Sequence, residues 1–141
     1  MTDFNILRKR YSEVLCGRGH SGKRTADCIL RSDERTEQRL AQLDTRIEKA
    51  ITSNEPGIVN ATLKGILDIS TSFSQNNSRF YHDENIKNKI FNALNALEKV
   101  YNDTIAPQGN WWYWEIGIPL SLNSIFTLMY DYADKSQLKR Y

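Results

Sequence analysis

The sequence has little of what would mark a membrane, disulfide-stapled or metal-binding protein. No apolar run approaches the roughly 20 residues needed to cross a bilayer, so no membrane partner is expected. The start, Met1-Thr-Asp-Phe-Asn5, has no basic segment leading into an apolar core. No secretory signal is therefore expected in this stretch, which leaves open a start placed after a removed one. Only two cysteines occur, Cys16 and Cys28, at a spacing that fits no zinc knuckle and with no His/Cys cluster beside them. No metal and no cofactor is expected. A disulfide between the two is geometrically possible, but unpaired thiols suit a helical domain of this size better. Seven glycines and three prolines in 141 residues exclude a low-complexity chain. Neither sign of charge dominates: the formal net charge of +2 gives no reason to expect nucleic acid as a partner.

What is present is helical periodicity. Asp3 is placed to cap a first helix, with Phe4, Leu7, Tyr11, Val14 and Leu15 at helical spacing and Gly17 as its stop. The segment 17–32 is glycine-rich and basic, with Arg18, His20, Lys23, Arg24 and Arg31. It has a superficial likeness to a phosphate-binding loop. Arg24 separates Lys23 from Thr25, and an amphipathic helix rather than a strand precedes it, so a solvated connection is expected instead. Ser32 or Asp33 then caps a second helix with the stripe Leu40, Leu43, Ile47, Ala50, Ile51, closed by Asn54-Glu-Pro-Gly57. A third helix from Ile58 to Phe73 is apolar over a broad arc, which predicts cover on more than one side. Asp83 caps a fourth, whose apolar face runs from Ile86 to Ile105. Pro119 suits the first turn of a fifth, which finishes near Ala133, and a further helix can start soon after Asp134. The expectation is all-α: antiparallel helical hairpins joined by mostly short connections in a single domain, 1–141, with no strand.

One stretch stands apart: Asn110-Trp111-Trp112-Tyr113-Trp114-Glu115-Ile116-Gly117-Ile118-Pro119 holds all three tryptophans. Consecutive side chains cannot all point one way, so some of these rings must face a groove or a partner. Flat apolar faces beside hydrogen-bond donors suit sugar rings, which have an apolar face and a hydroxyl rim. Asn110 could then bond a hydroxyl or carboxylate of the same ligand. The residues alone leave a second reading open, a helix junction with Trp112 and Ile116 buried and the other rings at the rim. Glu115 reads as a hydrogen-bonding pin of the helix entrance rather than a general acid.

This motif, followed by Leu120-Ser-Leu-Asn123 and Leu128-Met-Tyr-Asp131, resembles the signature of the N-terminal helical domain of family 8 polysaccharide lyases, the hyaluronate, chondroitin AC and xanthan lyases. The resemblance implies part of an incomplete (α/α) toroid of helical hairpins, followed in the parent enzyme by β-sandwich domains. It implies an acidic polysaccharide as partner, hyaluronan or chondroitin before xanthan, secretion of the parent enzyme, and cleavage by β-elimination. Trp111 and Trp112 would form the aromatic patch that positions the chain, with Asn110 beside them and Tyr113, Trp114 and Glu115 in support. The family's catalytic Asn, His and Tyr lie downstream of the patch and match nothing here. His20 and His82 precede the motif, His82 fits a solvated helix start, and Tyr130 and Tyr132 sit at core-like spacing, so no catalytic residue is expected in this chain. Unpartnered helix faces of an incomplete toroid would favour self-association. The alternative is a self-contained helical module that docks a protein partner through the aromatic stretch.

Overall fold

The structure is a computed structural model and describes residues 2–17 and 26–140. Helix α1 spans Asp3–Leu15, α2 Ala26–Ser53, α3 Pro56–Ser74 and α4 Glu84–Leu97; a π-helical turn at Tyr113–Gly117 runs into α5, Ile118–Met129. A 3-10 turn at Tyr130–Tyr132 and a short α6, Lys135–Arg140, follow. No strand occurs among the described residues.

Helix α3 is the centre of the bundle, and eleven of its 19 residues are buried, among them Val59, Leu63, Ile66, Ile69 and Phe73. Each such apolar side chain removed from water contributes roughly 1.5–3 kcal/mol before the entropy of ordering is counted. The broad apolar arc thus has the cover it predicted: α2 packs on one side, α5 on another, α4 on a third. With only Asn54 and Glu55 between them, α2 and α3 must fold back on each other. Their bonds show the antiparallel register: Thr36 Oγ1 lies 2.7 Å from Ser72 Oγ, Arg39 Nε donates to Asp68 Oδ2 at 3.0 Å, and Thr62 Oγ1 reaches Arg46 O at 3.5 Å. Helix α1 buries no residue and is fastened to α5 by its edge. Tyr11 Oη lies 2.9 Å from Ser124 Oγ, Arg8 pairs with Asp131 at 3.2 Å, and Phe4 meets Tyr130 at a tilt, with centroids 5.4 Å apart.

Three boundaries differ from the sequence expectation. Thr2, not Asp3, caps α1, its side chain accepting from the Asn5 N–H. Ser32 and Asp33 do not cap α2; they lie inside it, since it begins at Ala26. Asp33 is buried and caps another element instead, accepting from Ser78 Oγ at 2.5 Å and from the Arg79 N–H at 3.0 Å. The inner face of α2 at this end is polar and hydrogen-bonded, so apolar periodicity could not reveal it. The remainder of the expected basic connection, His20 included, lies outside the described residues. Helix α4 stops at Leu97 rather than near Ile105. Asn102 takes over there: its Nδ2 donates to Glu98 O at 2.7 Å and its Oδ1 accepts from the Thr104 N–H at 2.9 Å, a local bond set that competes with the helix. Gly17 at φ 71° stops α1, Asp83 caps α4 and Pro119 opens α5, as read from the sequence. Cys16 is buried at the end of α1 and Cys28 is exposed on α2; no disulfide joins them.

Candidate functional site

The aromatic stretch opens on Asn110, which acts as a cap. Its Oδ1 accepts the Trp112 N–H at 2.9 Å and its backbone carbonyl accepts the Tyr113 N–H at 3.2 Å. The expected free reach of Asn110 toward a ligand is thus halved: the oxygen is spent on the backbone, and the side-chain NH2 is the group left facing solvent. Next comes a turn wound one residue wider than an α-helix, closed by the Ile118 N–H on Tyr113 O, five residues back. Such π turns recur at functional sites because they change the phase of a helix face locally.

That phase change sorts the rings. Trp111 and Trp112 stand out, 61% and 40% exposed, while Trp114 turns in at 9%. The helix junction with Trp112 and Ile116 buried is not formed: Ile116 is 36% exposed, and Trp114, Gly117 and Ile118 take the inner positions. Of the six residues singled out, Asn110, Trp111 and Trp112 share the outer surface, Tyr113 is half-buried between surface and core, and Trp114 belongs to the core. Glu115 is exposed, and its carboxylate meets no partner among the described residues, so it is not the pin expected of it.

Each ring has a distinct seat. Trp114 lies against Tyr101 with centroids 4.9 Å apart, and Tyr101 Oη donates to Trp114 O at 3.1 Å. Burial raises the Tyr101 phenol above its ordinary pKa of 10.0, which keeps it a donor. Tyr113 packs on the first turn of α3 at Gly57, where a Cβ would lie 3.3 Å from its ring. Trp112 meets Tyr113 edge to face at 5.4 Å and lies over Gly117, whose absent Cβ would sit 2.8 Å from Trp112 Cζ3. Beneath Gly117 is the buried Asn60, whose Oδ1 accepts from Ser121 Oγ at 3.3 Å. Sequence reading missed Gly57, Asn60 and Gly117 as supports. Asn60 is the one amide side chain of α3, but that helix also carries Thr62, Lys64, Asp68 and several serines, so nothing in the sequence marked it out.

A cavity of about 860 Å³ lies on the other side of Trp114, between α1, α5 and the segment after α4. Trp111 and Trp112 do not line it. Phe4, Leu7, Leu122 and Phe126 make it largely an apolar seam, with Asp103 as its single carboxylate and Arg8 as its cation. The exposed rings therefore carry more information than this hollow.

At the far end of α3 is a second aromatic group. His82, exposed and at φ 52°, stacks on Tyr81 at 3.9 Å, and its Nε2 lies 3.4 Å from Tyr132 Oη. Phe73 meets Tyr132 edge-on at 5.2 Å. Burial first, and then the neighbouring Asp131, raise the Tyr132 phenol above its ordinary 10.0, which makes it a weaker acid and keeps it protonated at neutral pH. From the first turn of α3 to its last is roughly 25 Å at 1.5 Å per residue, so this His–Tyr pair and the tryptophans cannot serve one sugar ring. Tyr130 carries the Arg8 guanidinium over its face at 4.7 Å. No group of three or more His, Cys, Asp or Glu among the described residues could hold a metal. No described helix is long and apolar enough to cross a membrane.

Comparison with known proteins bears on the family and the fold. Residues 26–141 match the model of the polysaccharide lyase family 8 N-terminal α-helical domain. A xanthan lyase of Bacillus sp. (strain GL1) is 27% identical over 99% of the chain, and a hyaluronate lyase of Thermasporomyces composti is 25% identical over 99%. The chain spans only 16% and 19% of those two proteins. The solved structure of a Paenibacillus xanthan lyase superposes with a TM-score of 0.71 at 19% identity, covering 99% of this chain and 14% of that one, which bears on the fold alone. An all-helical bundle whose residues 26–141 match that model, with relatives of the same kind along its length, belongs to polysaccharide lyase family 8, in its N-terminal α-helical domain.

Proposed function

We propose that this chain is the substrate-positioning part of a secreted polysaccharide lyase that cleaves an acidic polysaccharide by β-elimination, and one segment of its incomplete helical toroid. The observation that carries this is the exposed Trp111–Trp112 pair, set at the edge of the bundle by the Asn110 cap. Two adjacent flat rings with a side-chain amide donor beside them match the apolar face and hydroxyl or carboxylate rim of a uronic-acid polymer. In β-elimination a base removes the proton at C5 of the uronic acid, and the glycosidic oxygen leaves from C4 to give an unsaturated sugar. Near the tryptophans the described residues offer one carboxylate, Glu115, and no histidine, and we assign the chemical step to other parts of the parent enzyme, including further helices and β-sandwich domains. The xanthan and hyaluronate lyases among its relatives support an acidic polysaccharide as the class of substrate.

The test has two arms. In the full-length enzyme, Trp111→Ala and Trp112→Ala should each lower kcat/KM on hyaluronan, chondroitin or xanthan, followed as absorbance of the unsaturated product. Unchanged kinetics in both variants would remove the platform. The isolated 141-residue chain should give no unsaturated product; turnover by it would place the catalytic residues here after all.

A further inference from the structure

Gly117 has ordinary helical backbone angles, φ −62° and ψ −50°. Nothing in its conformation calls for glycine, and alanine would be the better helix former at those angles. The reason for glycine lies in what surrounds the missing Cβ. That atom would stand 2.8 Å from Trp112 Cζ3 and 3.2 Å from Asn60 Oδ1. The first distance is too short to exist, so a side chain at 117 would push the indole off its seat. Asn60 is buried and bonded to Ser121, and so cannot yield much from the other side. The π turn is the second part of the arrangement. By closing its ring over five residues it turns Trp114 inward and leaves position 117 beneath the Trp112 ring.

We infer that Gly117 is a positioning residue for the sugar platform: together with the π turn and Asn60 it sets the angle at which Trp112 presents its face. This rests on the reading of Trp111 and Trp112 as that platform. It also divides the pair. Trp112 is the fixed face, held by Gly117 below and Tyr113 at its edge, while Trp111 has the greater exposure and the freedom to adapt to the ligand.

A double-mutant cycle in the full-length protein tests it, with hyaluronan and xanthan oligosaccharides as ligands, calorimetry for affinity and thermal unfolding for stability. Gly117→Ala should weaken oligosaccharide binding about tenfold, close to the effect of Trp112→Ala. In the Trp112→Ala background, Gly117→Ala should have no further effect on binding, since the contact that remains, with Asn60 Oδ1, bears on stability and not on the platform. Equal losses of affinity in both backgrounds, or none in either while Trp112→Ala alone weakens binding, overturn the inference and leave the platform standing. Unchanged affinity in Trp112→Ala overturns the platform and the inference together. If Gly117→Ala fails to fold, the double variant decides: a recovered fold supports the indole seat, and a second failure shows that Gly117 serves the backbone or Asn60 instead.

Discussion

The two ends of α3 each gather aromatic rings beside a polar group, and they use them in opposite ways. At the Phe73 end the rings are spent on one another: His82 lies flat on Tyr81, Tyr132 stands edge-on to Phe73, and the His82–Tyr132 contact ties the connection after α3 to the end of α5. At the Gly57 end the stretch divides its rings, Trp114 into the core and Trp111 and Trp112 toward solvent. Exposed aromatic area alone does not separate the ends, since Tyr81 and Tyr132 are about as open as Trp112. What separates them is backing. Trp112 rests on a glycine and leaves a face free, whereas the rings at the other end cover each other's faces.

Substitutions can sharpen that contrast or break it. The largest effect belongs to Trp114→Ala, which should cost about 3–5 kcal/mol in urea unfolding by removing a core indole. A cost below about 1 kcal/mol would mean that Trp114 is not a core anchor. Trp111→Ala and Trp112→Ala should leave stability within about 1 kcal/mol and instead weaken oligosaccharide binding in the full-length enzyme by about tenfold each, read by calorimetry. Tyr101→Phe should cost about 1 kcal/mol at neutral pH, the net worth of its bond to Trp114 O. It should also change the alkaline limb. The Tyr101 phenol is raised in the fold, so from pH 10 upward the unfolded chain loses its proton first and stability falls as pH rises. Removing that hydroxyl should flatten the decline in Tm above pH 10; an unaltered slope would place the titration elsewhere. The smallest effect is expected of Tyr132→Phe, about 0.5 kcal/mol or less for a long, exposed contact, with no change in oligosaccharide affinity. A loss of affinity there would erase the distinction between the two ends.

Much of the bundle was legible because its helices obey rules that act locally. Gly17, Pro56, Asp83 and Pro119 mark boundaries through their own backbone and capping chemistry, and those marks hold. Two of the three boundary differences share one cause. Asp33 resembles a cap in sequence and is one in fact, but for the Ser78–Arg79 turn 45 residues away. Helix α4 stops short because Asn102 bonds its own neighbourhood and Tyr101 is drawn off to Trp114 O. In both cases the deciding bonds are made by polar side chains, which apolar periodicity does not report.

The aromatic stretch shows the division most sharply. By itself the sequence determined that its four rings could not all be buried on one face, because consecutive side chains diverge, and its motif carried the resemblance to family 8 lyases. Only the tertiary structure decided which rings stay outside. The π turn rephases the segment by a residue, Gly117 leaves space that Trp112 occupies, and Asn60 and Gly57, on a helix more than 50 residues earlier, supply the surface against which the rings are sorted.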